Sequence, residues 1–172
     1  MTERGADRIA HPGGTLLAHL VRVADRLGTY SADEQLQLAG LTHAAYSTDG
    51  FDTALLDTNE RALLVEAIGT QAEALVYRYG ATDRRAFYRQ LDQRLVVWTD
   101  RFTGRSVTLD PPDVAPLMTL TVANELDVIE QSEQLREQYG TSLADLFIRA
   151  RAVLPDGAWA DVVQTLRLLD GT

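Results

Sequence analysis

The chain has 172 residues, 45% of them hydrophobic and 24% charged, with 25 acidic residues against 16 basic ones for a net charge of −9. That length suits one domain with a full core, and the negative balance repels a phosphate backbone and argues against a nucleic-acid partner. No residue is Cys and all 16 basic residues are Arg. Disulfides, thiolate nucleophiles, Cys-ligated zinc and Schiff-base lysine chemistry are therefore excluded.

No apolar run is long enough to cross a bilayer, and the first residues, "MTERGADRIAHPGG", lack the apolar core of a signal peptide. These features predict a cytoplasmic protein with no membrane partner. The Arg, Ala, Leu, Asp and Gly bias points to a GC-rich bacterial genome. No internal repeat or low-complexity linker interrupts the chain, so residues 1–172 are read as one domain.

In chain order, "GTLLAHLVRVADRLG" places Leu16, His19, Leu20, Val23 and Leu27 on one helical face and stops at Gly28. "SADEQLQLAGLTHAA" opens with a Ser31–Glu34 capping box and is apolar nearly all round, the mark of a buried helix. Leu36, Gly40 and His43 share one of its faces. "YSTDGFDTALLDTN" is a loop. "ERALLVEAIG" and "TQAEALVYRYG" are helices ending at glycines, the second with a Thr70–Glu73 capping box. "TDRRAFYRQLDQ" is a further amphipathic helix. Val96, Val97, Trp98, Val107 and Thr108 then flank a Thr-Gly turn, which predicts a small β-hairpin. Residues 110–140 read as one long helix opened by prolines and closed at Gly140. "SLADLFIRARAVL" and "AWADVVQTLRLL" complete the set, giving C-terminal helices over 141–170. The fold class is all-α, a bundle of about eight helices with one hairpin insertion.

His19 and His43 fall on the buried faces of consecutive helices. A buried imidazole needs partners for its nitrogens, so the pair is either two core histidines bonded to backbone or Tyr hydroxyls, or one shared polar cavity. On the long helix, Leu117, Leu120, Asn124 and Asp127 recur at helical spacing, and Gln131 extends the stripe. These polar residues either line that cavity or mark an exposed helix end. The loop after His43 offers Tyr46, Thr48 and Asp49. His43 could move protons with Asp49 or Asp127 as an orienting carboxylate, and Tyr46 could donate to a developing oxyanion. Arg61 is a candidate clamp for an anionic group. His11, in "HPGG", could fold over the mouth of the cavity. The candidate catalytic residues are His43, His19, Asp49 and Tyr46, and the candidate substrate-binding residues are Asn124, Asp127, Arg61, Thr48 and Gln131.

The run "LLAHLVRVADRLG…ADEQLQLAGLTHAA", followed by "IGTQAEALVYRYG", resembles the metal-dependent phosphohydrolase superfamily called HD. In pattern it is most similar to the hydrolase domain of RelA/SpoT-type alarmone enzymes, and "HAAYSTDGF" resembles a group of small HD-like bacterial proteins. His19 with Val23 and Ala24 matches the first His motif, and Ala39, Leu41 and His43 match the end of the Ala-x-Leu-x-His-Asp helix. Ile68-Gly69 and Leu75-Val76 echo a later helix pair. The likeness covers about residues 15–131 and implies an HD-like helical core over that span.

The family holds a divalent cation with two His and two Asp. Here His19 and His43 stand at the His positions, while Ala44 and Asn124 stand at the Asp positions. Ser47 and Thr48 replace a further acidic pair. Losing both carboxylates removes the oxygen ligands that a hard cation requires. The resemblance thus implies a degenerate metal site with no cofactor; any retained metal would rest on His19 and His43. The leading expectation is a metal-independent small-molecule enzyme of lyase, isomerase or cyclase type, with a place in bacterial secondary metabolism. A metal-dependent phosphohydrolase using Asp49 or Asp127 as a replacement ligand is the first alternative. A non-catalytic ligand-binding or regulatory module is the second. The expected partner is a small molecule, and the edge of "FTGRSVTL" offers a homodimer contact.

Overall fold

The computed structural model describes residues 1–168 of the chain. Among them are eight α-helices and two antiparallel two-stranded ribbons, so the protein is mainly helical. No helix among the described residues is long and apolar enough to cross a membrane. Residues 169 and 170, the expected end of the last helix, lie outside the described residues.

After a 3₁₀ turn at Thr2–Arg4, the chain makes a minimal hairpin of β1 (Ala10–His11) and β2 (Gly14–Thr15). Two-residue strands leave no alternation to read, which is why the sequence pattern gives no sign of them. The turn needs glycine: Gly13 has φ +79°, and a Cβ there would come within 2.6 Å of the Gln131 side chain.

Helix α1 (Leu16–Thr29) starts where Thr15 Oγ1 accepts from the Ala18 amide at 3.2 Å. It buries Leu16, His19, Leu20, Val23 and Leu27, the face its period marks, and runs one residue past Gly28. Helix α2 (Glu34–Thr42) is capped by Asp33, whose Oδ1 accepts from the Leu36 amide at 2.8 Å. The expected Ser31–Glu34 box does not form, because Ser31 sits outside the helix at φ +59°. Gly40 lets α2 press on α1: a Cβ there would lie 2.4 Å from Leu27 Cδ1. That contact sets α2 against α1 and brings His43, at its end, beside His19 in the first turn of α1.

A loop containing a 3₁₀ turn at Thr58–Glu60 leads to α3 (Arg61–Ile68) and α4 (Thr70–Gly80). The expected Thr70–Glu73 capping box is also absent, because Glu73 turns inward into a buried ion pair. Helix α5 (Arg84–Tyr88) is followed by the expected hairpin, β3 (Val96–Thr99) on β4 (Ser106–Leu109), with Val96 opposite Leu109 and Thr99 opposite Ser106.

Helix α6 (Pro111–Glu130) is the centre of the molecule, with Leu117, Met118, Leu120, Val122, Leu126 and Ile129 all buried. The sequence reading carries this helix to Gly140, and the structure corrects it. Ser132 leaves the helical conformation at φ −148°, and its hydroxyl accepts from the Leu135 amide at 3.3 Å, which starts α7 (Glu133–Ala150). Gly140 lies inside α7, in open space where its missing side chain leaves no gap. A 3₁₀ turn at Arg151–Val153 precedes α8 (Asp156–Leu166).

Candidate functional site

The turn into α1, the end of α2, the following loop, the start of α5 and the far half of α6 meet around a cavity of about 280 Å³. All three histidines of the chain line it, with Thr48, Phe51, Arg84, Asn124 and Glu125. His19 and His43 are 1% and 3% exposed. His11 reaches over from β1 and stacks on His19, ring centroids 4.0 Å apart, with Phe51 edge-on at 5.8 Å. His19 meets His43 edge to face at 5.3 Å, and His43 meets Tyr79 in the same manner at 5.6 Å.

The three rings differ in what their nitrogens do. His19 Nδ1 bonds Asp127 Oδ2 at 2.6 Å, and its Nε2 faces Asn124 Oδ1 at 3.1 Å. Asn124 Nδ2 donates to Glu125 Oε1 at 3.0 Å, which fixes the amide with its oxygen toward His19. A ring with hydrogen on both nitrogens satisfies both contacts. Arg22 closes this cluster, donating to Asp127 from Nε at 2.6 Å and Nη2 at 2.9 Å, and to the Pro12 carbonyl at 3.1 Å. Burial works against the Asp127 carboxylate, yet the bonds from His19 and Arg22 outweigh it and hold the group below the usual carboxylate range.

His43 is different. Its Nδ1 donates to the Gly40 carbonyl at 2.7 Å, so the hydrogen of the neutral ring sits there and Nε2 carries the lone pair, on a ring that lines the cavity beside the Asn124 side chain. Burial, with the charges of His19 and Arg84 adding to it, pushes His43 down to about 3. His11 is pushed down to about 4, again by burial first and His19 second. Its Nδ1 is buried with no hydrogen-bond partner among the described residues. Arg84 pairs with Glu125 through Nη1 at 2.9 Å and donates to the Tyr79 hydroxyl from Nη2 at 3.0 Å. Burial opposes its charge, but Tyr79, Tyr88, Glu125 and Asp49 more than offset that and lift the guanidinium above its ordinary value.

Of the residues singled out by sequence, His19, His43, Thr48, Asn124 and Asp127 come together at the cavity or directly behind it. Four do not. Tyr46 donates to Glu73 at 2.9 Å in a separate buried cluster. Arg61 holds that same Glu73 through Nε at 2.7 Å and Nη2 at 2.8 Å and covers the Tyr77 ring, so it is not a clamp on the cavity. Asp49 Oδ2 accepts from the Arg84 backbone amide at 2.9 Å and does not orient His43. Gln131 packs on Gly13, outside the cavity. Arg84, Glu125 and Phe51 were missed. Glu125 follows Asn124 directly, the one sequence signal that could have found it, whereas Arg84 stands in an Asp-Arg-Arg run that reads as solvated surface.

The donor set does not fit the four-ligand cation centre that the HD resemblance implies. Asp127 and Asn124 take both nitrogens of His19, the Gly40 carbonyl takes one of His43, and Ala44 has no donor to offer. Asp49 and Asp127, the expected replacement ligands, are held by Arg84 and by Arg22 with His19. Among the described residues no three His, Asp or Glu side chains are disposed to hold one ion.

Residues 1–84 match the model of a family described as a domain of unknown function, DUF6817. That span is just under half of the chain. It contains His11, His19, His43, Thr48 and Phe51 and ends on Arg84, while Asn124, Glu125 and Asp127 lie beyond it. No curated protein and no solved structure matches the chain.

Proposed function

We propose that the chain is a metal-independent acid/base enzyme, of lyase, isomerase or cyclase type, acting on a small molecule held in the histidine-lined cavity. One observation carries the reading. His43 is a buried neutral imidazole whose hydrogen is committed to a backbone carbonyl, which leaves Nε2 with a lone pair on a ring that lines the cavity. Buried polar atoms are ordinarily satisfied within the protein, so an acceptor nitrogen on a ring that lines a cavity of this size supports a place for a ligand.

In this reading His43 is the proton acceptor. The same burial that lowers its basicity keeps it in the base form at neutral pH, and a negative charge arriving in the cavity would restore its affinity for a proton. Asp127 and Asn124 act through His19, fixing its ring as a wall of the cavity. Arg84 also lines the cavity, and its cation can stabilise developing negative charge there. The frame is read as an HD-like scaffold in which Ala44 and Asn124 stand in the positions of acidic ligands. Both line the cavity, which supports that reading.

A small-molecule screen of the full chain, read by NMR in D2O, tests the proposal. The expected result is a compound that binds wild type and takes up deuterium at one carbon, with exchange lost in His43→Gln while binding remains. Binding without exchange in wild type would favour a non-catalytic module. Compounds that bind His43→Gln and wild type alike, with equal exchange, would overturn the role of His43.

A further inference from the structure

The β3–β4 hairpin has two edges, and only one of them is closed. On the outer side of β3, the Gln90 side chain takes both backbone groups of Val97. Its Oε1 accepts from the Val97 amide at 3.0 Å and its Nε2 donates to the Val97 carbonyl at 3.0 Å. Further along, Thr82 bridges to Asp100, and the Arg101 amide donates to the Ala81 carbonyl at 2.8 Å. These contacts do for β3 what a neighbouring strand would do.

They also fix the phase of the ladder. Paired residues of an antiparallel ribbon alternate between exchanging bonds with each other and pointing their backbone groups away. Val97, bonded outward to Gln90, is paired with Thr108. The Asp100 amide, bonded inward to the Arg105 carbonyl at 2.8 Å, puts the next pair, Thr99 with Ser106, in the same outward phase. Ser106 and Thr108 therefore turn their N–H and C=O groups away from β3. On that side of β4 no backbone partner stands among the described residues, and residues 101–108 are all exposed. Ser106–Leu109 also holds no Lys or Pro of the kind that guards an edge strand.

We infer that this edge receives a second copy of the chain, β4 pairing antiparallel with β4 about a twofold axis at Val107 to give a four-stranded sheet. A twofold contact sets the same strand against itself, and only the outward-pointing residues can exchange bonds across it. An axis at Thr108 or Leu109 would call on Asp110, whose carbonyl already accepts from the Asp113 and Val114 amides at the start of α6. An axis at Ser106 would call on Gly104, whose amide is given to the Asp100 carbonyl and whose φ of +72° leaves the strand. The axis at Val107 pairs Ser106 with Thr108 of the second copy and Thr108 with its Ser106, so the N–H and C=O of both residues find partners. It sets the two Val107 side chains, each 48% exposed, against one another. Arg105 then stands next to Asp110 of the second copy, a charge of opposite sign. So short a seam makes a weak, concentration-dependent dimer. None of these residues lines the histidine cavity, so the dimer and the cavity reading stand or fall separately.

Sedimentation equilibrium of the full chain from about 1 µM to about 1 mM, with amide hydrogen exchange at both ends of that range, tests the dimer. The expected result is a reversible monomer–dimer equilibrium. As the dimer fills, the Ser106 and Thr108 amides exchange more slowly, while the Val107 amide, which faces β3, does not change. Thr108→Pro removes an outward donor that the single chain does not use and the twofold contact uses twice, so association is expected to weaken at least about tenfold. Val107→Lys puts like charges on the axis and is expected to weaken it as well. Urea unfolding at the lowest concentration checks that both variants keep the fold. A chain that stays monomeric up to about 1 mM overturns the inference and leaves the edge to some other extended segment. A dimer that both variants leave intact, or one whose newly protected amides lie outside β4, overturns it too.

Discussion

His19 and His43 meet edge to face across α1 and α2, ring centroids 5.3 Å apart and planes at 80°, yet they do opposite things with their nitrogens. His19 is held at both ends by Asp127 and Asn124. His43 is held at Nδ1 by the carbonyl of Gly40, with the Asn124 side chain beside the ring. The difference comes from α6, which brings Asn124 and Asp127 to the first ring.

This arrangement makes folding sensitive to mild acid. His43 falls to about 3 and His11 to about 4, whereas the unfolded chain protonates both near 6.5. Below that pH the unfolded state binds protons that the folded state refuses, so stability is full above about pH 6.5 and falls as pH drops toward 4. Asp127 and Asp161 lie below the usual carboxylate range, so their contribution is lost at still lower pH. Urea midpoints at pH 7 and pH 4.5 should differ by a few kcal/mol on conversion, and His43→Gln should flatten much of that slope.

Asp127→Asn removes the charge that Arg22 and His19 share. The carboxylate is 2% exposed and accepts three hydrogen bonds, two from Arg22 and one from His19. Breaking such a buried cluster by removing one partner costs about 3–5 kcal/mol. Denaturant unfolding checks the size, and loosening of the His11 ring beside His19 should accompany it.

Arg61→Met separates the second polar cluster from the cavity. Arg61 is 40% exposed at its side chain, but its partner Glu73 is 2% exposed and would keep only the Tyr46 hydroxyl. A loss of about 1–3 kcal/mol in stability is expected, with ligand binding at the cavity unchanged. A drop in ligand affinity would restore Arg61 as an anion clamp.

How much of this was legible follows from what each residue's position makes visible. His19, Asn124 and Asp127 sit in regular helices whose apolar stripes are readable at a 3.6-residue period, so a polar residue on the stripe announces a buried polar contact. Tyr46, Asp49 and Arg61 sit in or beside a loop, where sequence fixes no direction: Tyr46 turns to α4, and Asp49 turns to the start of α5. Arg84 and Glu125 look like surface charges and become cavity residues only because α5 and α6 approach each other. The end of α6 at Ser132 was hidden because Ser132 and Glu133 read as ordinary positions on a polar helical face, whereas the capping hydroxyl shows only in three dimensions.

Gly40 is the close approach that sets His43 against α1. Ala at this position brings a Cβ to 2.4 Å from Leu27 Cδ1, and overpacking of this kind costs about 1–3 kcal/mol. Leu27→Ala alone leaves a cavity, but combined with Gly40→Ala it should cost less than the sum of the two single changes. A thermodynamic cycle on the four proteins measures the coupling.

The central claim is that His43 is a neutral imidazole at pH 7 with its hydrogen on Nδ1 and a lone pair on Nε2, on a ring that lines the cavity. Ring ¹⁵N chemical shifts of His43 across a pH titration test it most directly. The expected result is a hydrogen-bearing Nδ1, an unprotonated Nε2, and no titration until the pH falls below about 4. A ring that protonates near 6.5, or one whose hydrogen resides on Nε2, would contradict the account.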